Sequence, residues 1–282
     1  MSTQSDLKLP CRLSLPERLI DRVIAILRPL QLPKYRLLDP FVPKTGHRAA
    51  TVWGAQMELD LSDRIQRSIY FGCYEREETK WFQSVLKPGA VVVDVGANVG
   101  YFTALASQLV GATGRVFAVE PSPRCFALLK KCLRSLSIQN VHALQLALGE
   151  ESGVATLYEP LETVGNLDST MTPQANARPV QVVCSTLDEC VEQWRISQID
   201  LLKIDVEGFE SRVFRGATKT LEAKRIHRIL CEVNEYWLWT QGSSGAELTG
   251  ILRSFGFDAP VLEPPAGSPP PGHKNYLFTL RA

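Results

Sequence analysis

The chain has 282 residues, of which 31 are Lys or Arg and 30 are Asp or Glu, so its formal net charge is only +1. This balance provides no field that would favour nucleic acid, and we expect no nucleic-acid partner. The seven cysteines are scattered without a C-x-x-C pair, which argues against a zinc site and favours reduced thiols in a cytoplasmic protein.

Residues 1–50 are predicted to form an N-terminal extension with one or two short helices, because prolines interrupt its apolar runs. Its polar start lacks the order of a secretory signal. Residues 19–30 have the spacing of an amphipathic helix, and their charges and Pro29 argue against a membrane span. We expect this helix to dock on the domain or on a second copy in a homo-oligomer, with membrane-surface binding as the alternative.

Residues 51–88 are predicted to form an approach segment that lies over a cofactor cleft. A strand-like piece at 55–61 comes first, and residues 70–81 become helical towards their end. Residues 89–282 are then predicted to form the main domain.

The stretch 91–100 reads as a buried strand that runs into an acidic glycine turn, followed by a helix over 99–110. A dinucleotide-binding turn begins with glycine, whereas this turn begins with Asp94. A carboxylate there would repel pyrophosphate but would suit the ammonium and sulfonium of S-adenosylmethionine. The turn therefore predicts a methyl-transfer cofactor and disfavours the alternative, a nicotinamide-dependent oxidoreductase.

A second acidic residue follows at the end of the next predicted strand, over 115–120. Glu120 lies 24 residues after Gly96, and Pro121 ends the strand. This spacing is close to that of the carboxylate that accepts hydrogen bonds from a ribose diol in nucleotide-binding folds. The glycines of the turn alone predict only a tight turn. The turn and Glu120 together predict a cofactor site.

Strand and helix patterns then alternate, which predicts a Rossmann-like, doubly wound, mostly parallel seven-stranded sheet whose last strand is antiparallel. Two additional strands, 154–158 and 180–184, are predicted to form an added β-hairpin, and the polar residues 159–179 between them are a candidate specificity loop. The remaining predicted elements are helix 123–136, strand 141–147, helix 186–194, strand 200–205, helix 209–223, strand 228–233, helix 246–254 and strand 275–280, with a further extended segment at 257–262 and a proline-rich loop at 264–272.

Three charged residues at alternate positions, Lys203, Asp205 and Glu207, share one face where the fourth core strand ends. They are either a salt-bridge cluster that stabilises the strand end or catalytic groups, because buried charges need partners. In the catalytic interpretation Asp205 is the base that takes a proton from a hydroxyl acceptor, Glu207 is the alternative base, and Lys203 orients the carboxylates. No required metal is predicted, although a divalent cation bridging Asp205 and Glu207 is a further alternative.

The next strand ends in Glu232 and Asn234, for which an acceptor-facing role and a structural role are equally compatible with the sequence. Tyr236, Trp237 and Trp239 could stack on a flat acceptor, but core packing is favoured. The four histidines, at 47, 142, 227 and 273, are isolated in sequence and receive no role.

The assembled motifs resemble the FkbM-type family of S-adenosylmethionine-dependent methyltransferases. The motifs are the turn at 94–100, the Glu120-Pro121 pair and the run Lys-Ile-Asp-Val-Glu-Gly-Phe-Glu at 203–210, supported by segments 72–75, 147–149 and 185–188. The likeness covers roughly residues 70–233, and residues 1–50 carry no part of it.

The resemblance implies a class I methyltransferase fold and O-methylation of a hydroxyl on a sugar or secondary metabolite. A non-catalytic cofactor-binding domain is the other alternative. By resemblance, Glu120 takes the ribose, Ala147 flanks the adenine and Glu75 reaches the cleft from the approach segment. The remaining implied cofactor contacts are Asp94, Gly96, Ala97, Asn98, Gly100, Tyr101, Phe102, Pro121 and Asp205.

Overall fold

The structure is a computed structural model that describes residues 15–28, 38–136, 139–161, 170, 171, 173, 176–263, 265, 267 and 272–281. The described helices are α1 (Leu15–Leu27), α2 (Arg64–Phe71), α3 (Arg76–Val85), α4 (Tyr101–Val110), α5 (Pro123–Arg134), α6 (Leu187–Gln193), α7 (Glu210–Arg215), α8 (Thr218–Glu222), α9 (Glu235–Thr240) and α10 (Gly245–Ser254). The strands are β1 (His47–Val52), β2 (Ala55–Asp60), β3 (Val91–Val95), β4 (Arg115–Val119), β5 (Val141–Leu144), β6 (Ala147–Leu148), β7 (Gly153–Pro160), β8 (Ala177–Ser185), β9 (Leu201–Ile204), β10 (Arg228–Val233) and β11 (Lys274–Thr279).

A six-stranded sheet in the order β11-β10-β9-β3-β4-β5 forms the centre of the fold. Its strands are parallel except for β11, which pairs antiparallel with β10, as predicted. The predicted seventh strand near 257–262 is reduced, within the described part of the chain, to one isolated bridge between Phe257 and Leu280.

Helices cover both faces of this sheet, so the fold is doubly wound. On one face α3, α4 and the β1–β2 hairpin pack around Phe82 and Leu105. On the other face α6, α7, α8 and α10 pack around Phe214 and Leu252. Strand β3 is almost entirely valine and lies between the two layers, which is the pattern expected of a central parallel strand.

The N-terminal region contains a hairpin that the sequence interpretation missed. Of the predicted helix over 19–30, residues 19–27 belong to α1, and residues 29 and 30 lie outside the described residues. Residues 47–52 form β1, which pairs with β2, so the predicted division after residue 50 falls inside a strand. The hairpin turn has positive φ at Trp53 (+49°) and Gly54 (+75°). A tryptophan at such a position is not a recognisable turn signal, because hairpin turns of this kind favour Asn, Asp or Gly.

Three further elements differ from the predictions. The predicted strand 141–147 divides into β5 in the main sheet and β6, which pairs with β8 beside the added β7–β8 hairpin. The predicted helix 209–223 divides into α7 and α8 at Gly216, where an added Cβ would lie 2.0 Å from the carbonyl oxygen of Gly149. Helix α9, directly after β10, was not predicted.

Parts of both predicted loops lie outside the described residues, namely 162–169, 172, 174 and 175 in the first and 264, 266 and 268–271 in the second. Among the helices that the structure describes, none has the length and apolarity needed to cross a bilayer.

Candidate active site

A cavity of about 1020 Å³ opens at the carboxyl ends of β3, β4, β9 and β10, where ligands bind in open α/β sheets. Of the predicted site residues, those that line it are Glu75, Asp94, Gly96, Ala97, Asn98, Tyr101, Phe102, Glu120, Pro121, Ala147, Lys203, Asp205 and Glu207. Gly100 does not line it. With φ at +93°, Gly100 is the N-cap of α4, and an added Cβ there would lie 2.8 Å from Leu129 Cδ1, so it serves helix packing.

The turn after β3 is held by the neighbouring strand. The backbone N–H groups of Gly96 and Ala97 both donate to the carbonyl oxygen of Val119, at 2.9 and 3.0 Å. Gly96 has φ at +80°, and an added Cβ would lie 1.9 Å from the carbonyl oxygen of Asp205. The turn and the loop that carries Asp205 are therefore in backbone contact, which only glycine permits.

Glu120 joins the ends of two loops. Its Oε2 accepts the backbone N–H of Asn98 at 2.8 Å and its Oε1 accepts that of Ser122 at 2.9 Å, while the residue is only 6% exposed. A carboxylate oxygen can accept more than one hydrogen bond. The carboxylate is thus oriented by the backbone and retains the capacity to accept bonds from a ligand diol.

Lys203 lies between two carboxylates, that of Asp94 on the adjacent strand β3 and that of Asp205 directly after its own strand β9. Its Nζ is 3.2 Å from Asp205 Oδ2 and 3.9 Å from Asp94 Oδ1, and Asp94 Oδ2 accepts a 2.6 Å bond from Thr103 Oγ1. Although burial lowers the pKa of Lys203, Asp205 and Asp94 raise it above its ordinary value, so the ammonium stays charged. Burial raises the pKa of Asp94, opposed by Lys203 and Thr103. The salt bridge between Lys203 and Asp205 at the cavity is compatible with both interpretations of Lys203, Asp205 and Glu207, as a salt-bridge cluster and as site residues.

The far end of the cavity, which we term the acidic end, consists of Asp205, Glu207 and Glu232. One carboxylate oxygen from each lies within 4.8 Å of those of the other two, a spacing that could hold a metal ion. Burial is the main cause, and the negative charges of Asp205 and Glu207 a smaller one, that raises the pKa of Glu232 to about 11. His273 approaches from the loop before β11, with Nδ1 3.5 Å from Glu232 Oε1. The acidic end can therefore accept hydrogen bonds from a bound polar group or donate hydrogen bonds to it.

Glu75, in the segment between α2 and α3, lines the cavity. Its backbone is left-handed, with φ at +41°, and Asn275 Nδ2 donates to its Oε2 at 3.0 Å and to Glu78 Oε1 at 2.8 Å. Burial and the charge of Glu78 raise the pKa of Glu75 to about 8. Asn98 and Glu207 share the positive φ, at +48° and +52°. Strained backbone of this kind is concentrated at functional sites.

The added hairpin closes the cavity near Ala147. Ala147 packs in one cluster with Leu157 and Val182, and Met171 lies against it. Ser122 Oγ donates to Glu159 Oε1 at 2.5 Å, and Arg178 pairs with the other oxygen of the same carboxylate at 2.7 Å. Met171, from the predicted specificity loop, therefore lies beside Ala147, the predicted adenine flank.

Several lining residues were missed or left open by the sequence interpretation. Glu232, Asn234 and Trp237 line the cavity, whereas Tyr236 and Trp239 do not, and Trp239 is 45% exposed. His273 lines it although it received no role. The signal for His273 was its position just before the last strand, whose antiparallel pairing begins at the ligand-binding edge of the sheet.

The residues present fit S-adenosylmethionine. Asp94, Glu75 and Glu120 line one cavity, so acidic side chains are available for a cationic group and acceptors are available for a diol. Apolar side chains of Leu146, Leu148 and Leu157 line the end near Ala147 and can contact a flat ring.

Comparison with known proteins agrees with a site for S-adenosylmethionine. The model of the methyltransferase FkbM domain matches residues 94–259. The 31-O-demethyl-FK506 methyltransferase FkbM of Streptomyces tacrolimicus is 30% identical over 223 residues, covering 68% of this chain and 80% of that protein. The hexuronic acid methyltransferase AglP of Haloferax volcanii is 26% identical over 144 residues, covering 51% and 56%.

Among solved structures, the methyltransferase FkbM of Methylobacillus flagellatus KT is similar with a TM-score of 0.40 and 14% identity, covering 69% of this chain and 47% of that one. The family match spans the turn at Asp94, Glu120 and the loop at Asp205, which are the elements that build the cavity. The chain therefore belongs to the FkbM family of methyltransferases and is an S-adenosylmethionine-dependent methyltransferase.

Proposed function

We propose that this enzyme O-methylates a hydroxyl group on a sugar or secondary metabolite. The observation that carries the proposal is the position of Asp205, whose carbonyl oxygen contacts the turn at Gly96 while its side chain belongs to the acidic end of the same cavity. A base at that point can reach an acceptor hydroxyl held next to a bound cofactor.

For the cofactor, we propose that Glu120 binds the ribose diol and that Ala147, with Leu157 beside it, flanks the adenine. Asp94, Asn98 and Glu75 surround the methionine end. The cofactor supplies an electrophilic methyl group when bound. Glu120 and Asn98 are already held in place by the hydrogen bond between them, so their binding geometry exists before a ligand arrives.

For proton removal, Asp205 is the preferred base and Glu207 the alternative. Glu232 and Glu75 have pKa values raised to about 11 and about 8, so at neutral pH each mainly retains its proton and can donate a hydrogen bond. Asp205 is 31% exposed at the side chain, and Lys203 holds one of its oxygens. A general base must lie within hydrogen-bond reach of the proton it takes, and Asp205 satisfies this for a hydroxyl at the acidic end.

The relatives support the acceptor class without identifying the acceptor. One is named for methylating 31-O-demethyl-FK506 and another for methylating a hexuronic acid. A glycan acceptor, a cytoplasmic location and self-association through α1 stay predictions.

Calorimetric titration with S-adenosylmethionine, S-adenosylhomocysteine and NAD comes first, after a check for co-purified cofactor. Transfer of labelled methyl to a panel of hydroxylated sugars and metabolites, and to amine analogues of each, follows. We expect the two sulfur compounds to bind, NAD not to bind, and label to appear on hydroxyl oxygen. Label on the amines alone would refute O-methylation while leaving the methyltransferase assignment intact.

A further inference from the structure

Helix α1 has two apolar faces, and within the described part of the chain one is buried and the other is exposed. Ile24 is 1% exposed and belongs to the core beneath the β1–β2 hairpin, with Ile20 packed against the same cluster. On the outer face Leu19 is 65% exposed, Ile26 is 73% exposed and Val23 is 37% exposed. Positions 19, 23 and 26 follow one helical row, so these side chains form a continuous apolar stripe.

The inner face is fixed by specific contacts. Tyr70 OH donates to Asp21, and Arg28 Nε donates to the carbonyl oxygen of Tyr70 at 2.8 Å. An added Cβ at Gly72 would lie 2.6 Å from Arg28 Cγ. The helix is therefore docked through its inner face, and the outer stripe is not needed to hold it in place.

Among the side chains that the structure describes on the outer face of α1, the charged ones are both arginines. The exposed residues around the stripe are Arg18, Arg22 and Ala25. Asp21 lies on the same helix, but its side chain accepts a hydrogen bond from Tyr70 on the inner side. The wider segment repeats this bias, since residues 1–50 carry nine Lys and Arg against four Asp and Glu, whereas the remaining residues carry 22 Lys and Arg against 26 Asp and Glu. Apolar side chains flanked by arginines are the pattern of helices that lie in the interface of an anionic bilayer.

A second copy of this chain fits the face less well. A twofold contact through the stripe would bring the arginines of both copies, four positive charges, into one interface, which opposes association. An anionic lipid surface instead complements both arginines and accepts the three apolar side chains.

We propose that the outer face of α1, defined by Leu19, Val23 and Ile26 with Arg18 and Arg22, docks the enzyme on an anionic lipid bilayer. The apolar stripe enters the headgroup boundary while the arginines contact lipid phosphates. The carboxyl end of α1 packs on Gly72, and the following residues Tyr74 and Glu75 line the cavity, so a bilayer held by α1 lies next to the segment that borders the active site.

The test is co-sedimentation of the full chain with vesicles of phosphatidylcholine alone and of phosphatidylcholine mixed with phosphatidylglycerol. Two variants probe the face, Leu19→Gln with Ile26→Gln for the stripe and Arg18→Gln with Arg22→Gln for the charge. The matched control replaces the exposed hairpin pair, Val154→Thr with Val183→Thr, whose residues are 71% and 61% exposed. Circular dichroism and size-exclusion chromatography of each protein report folding and self-association.

We expect binding to the anionic vesicles only, a fall of about tenfold in the partition coefficient for each α1 variant, and no change for the control. Failure of the wild-type chain to bind anionic vesicles would overturn the proposal, as would binding that survives either α1 change. A dimer that is lost in the stripe variant, with no vesicle binding, would show that a second copy covers the face. Binding lost equally in the control would also refute a specific role for α1.

Discussion

The carbonyl oxygen of Asp205 lies so close to Gly96 that a Cβ added to the glycine would be 1.9 Å from it. The cofactor turn after β3 and the loop after β9 therefore share one backbone contact. Any side chain at Gly96 must displace either the turn or the residue that we propose as the base.

Gly96→Ala is consequently expected to cost roughly 3 kcal/mol or more of unfolding free energy and to abolish cofactor binding, because it adds a backbone clash to a left-handed φ of +80°. Gly242→Ala is the matched control, since Gly242 has φ at +73° with nothing within 4 Å of an added Cβ. It should cost only about 1 kcal/mol. Denaturant unfolding and calorimetry measure both, and equal effects would show that the contact with Asp205 is unimportant.

Asp205→Asn should lower turnover by about two to four orders of magnitude while cofactor affinity is preserved, because the amide keeps the shape of the carboxylate but cannot take a proton. Turnover is measured by labelled methyl transfer to the acceptor found in the panel, and affinity by calorimetry. Asp258→Asn, at an exposed site paired with Arg281, is the control. Full turnover with intact cofactor binding would show that Asp205 is not the base, so that either Glu207 has this role or no base is needed.

Glu120→Gln should weaken S-adenosylmethionine binding roughly tenfold or more. Both carboxylate oxygens accept backbone N–H groups, from Asn98 and Ser122, and a glutamine can present an acceptor to only one of them. Its NH₂ group would face the other donor. Calorimetry measures the dissociation constant, with Glu151→Gln at an exposed position as control. An unchanged constant would argue against Glu120 as the ribose ligand.

Glu210→Gln should change how stability depends on pH. Burial raises the pKa of Glu210 from 4.5 to about 7, against the opposing hydrogen bonds from Val206 and Gly208 to its Oε1. Because the folded state binds this proton more tightly than the unfolded chain, the stabilisation is present below the unfolded pKa and is lost as pH rises through about 7.

The wild type should therefore lose up to about 3 kcal/mol relative to Glu210→Gln between about pH 5 and about pH 8. Urea unfolding of both proteins across this range gives the difference directly, because titrations common to the two proteins cancel. A difference that does not vary with pH would mean that Glu210 does not titrate in this range.

Removal of divalent cations should leave methyl transfer unchanged. Lys203 already holds a positive charge 3.2 Å from Asp205, and Glu232, with its raised pKa, retains its proton at neutral pH. The assay is repeated after treatment with a chelator and after adding Mg²⁺ back. Loss of activity that Mg²⁺ restores would assign the acidic end as a metal site.

Local patterns predicted the parts of the site that lie within one strand and its following turn. The run of valines before Asp94, the glycines after it and Glu120 before Pro121 are each recognisable within a short stretch, because strand burial and turn conformation depend mainly on nearby residues. The antiparallel last strand was also predicted, since no helix pattern precedes it.

The hairpin strand β1 and the break between α7 and α8 were not predicted. Trp53 adopts a turn conformation that favours Asn or Gly, and the helix break at Gly216 lies where this residue contacts the distant Gly149 carbonyl. Neither the conformation of Trp53 nor the contact of Gly216 with Gly149 can be seen in the neighbouring sequence. At Gly216 the fold depends on a tertiary contact that the local pattern does not encode.

The sequence by itself determined the family, the class of fold and the segments that supply the cofactor turn, because these depend on short motifs with strict backbone requirements. Only the tertiary structure decided which charges meet. Asp94 and Lys203 are 109 residues apart and become partners because β3 pairs with β9 in the register that sets these two residues opposite each other. His273 reaches Glu232 for the same kind of reason, through the pairing of β10 with β11. Strand order and register arise from packing of the whole sheet, and the periodicity of a single strand does not encode them.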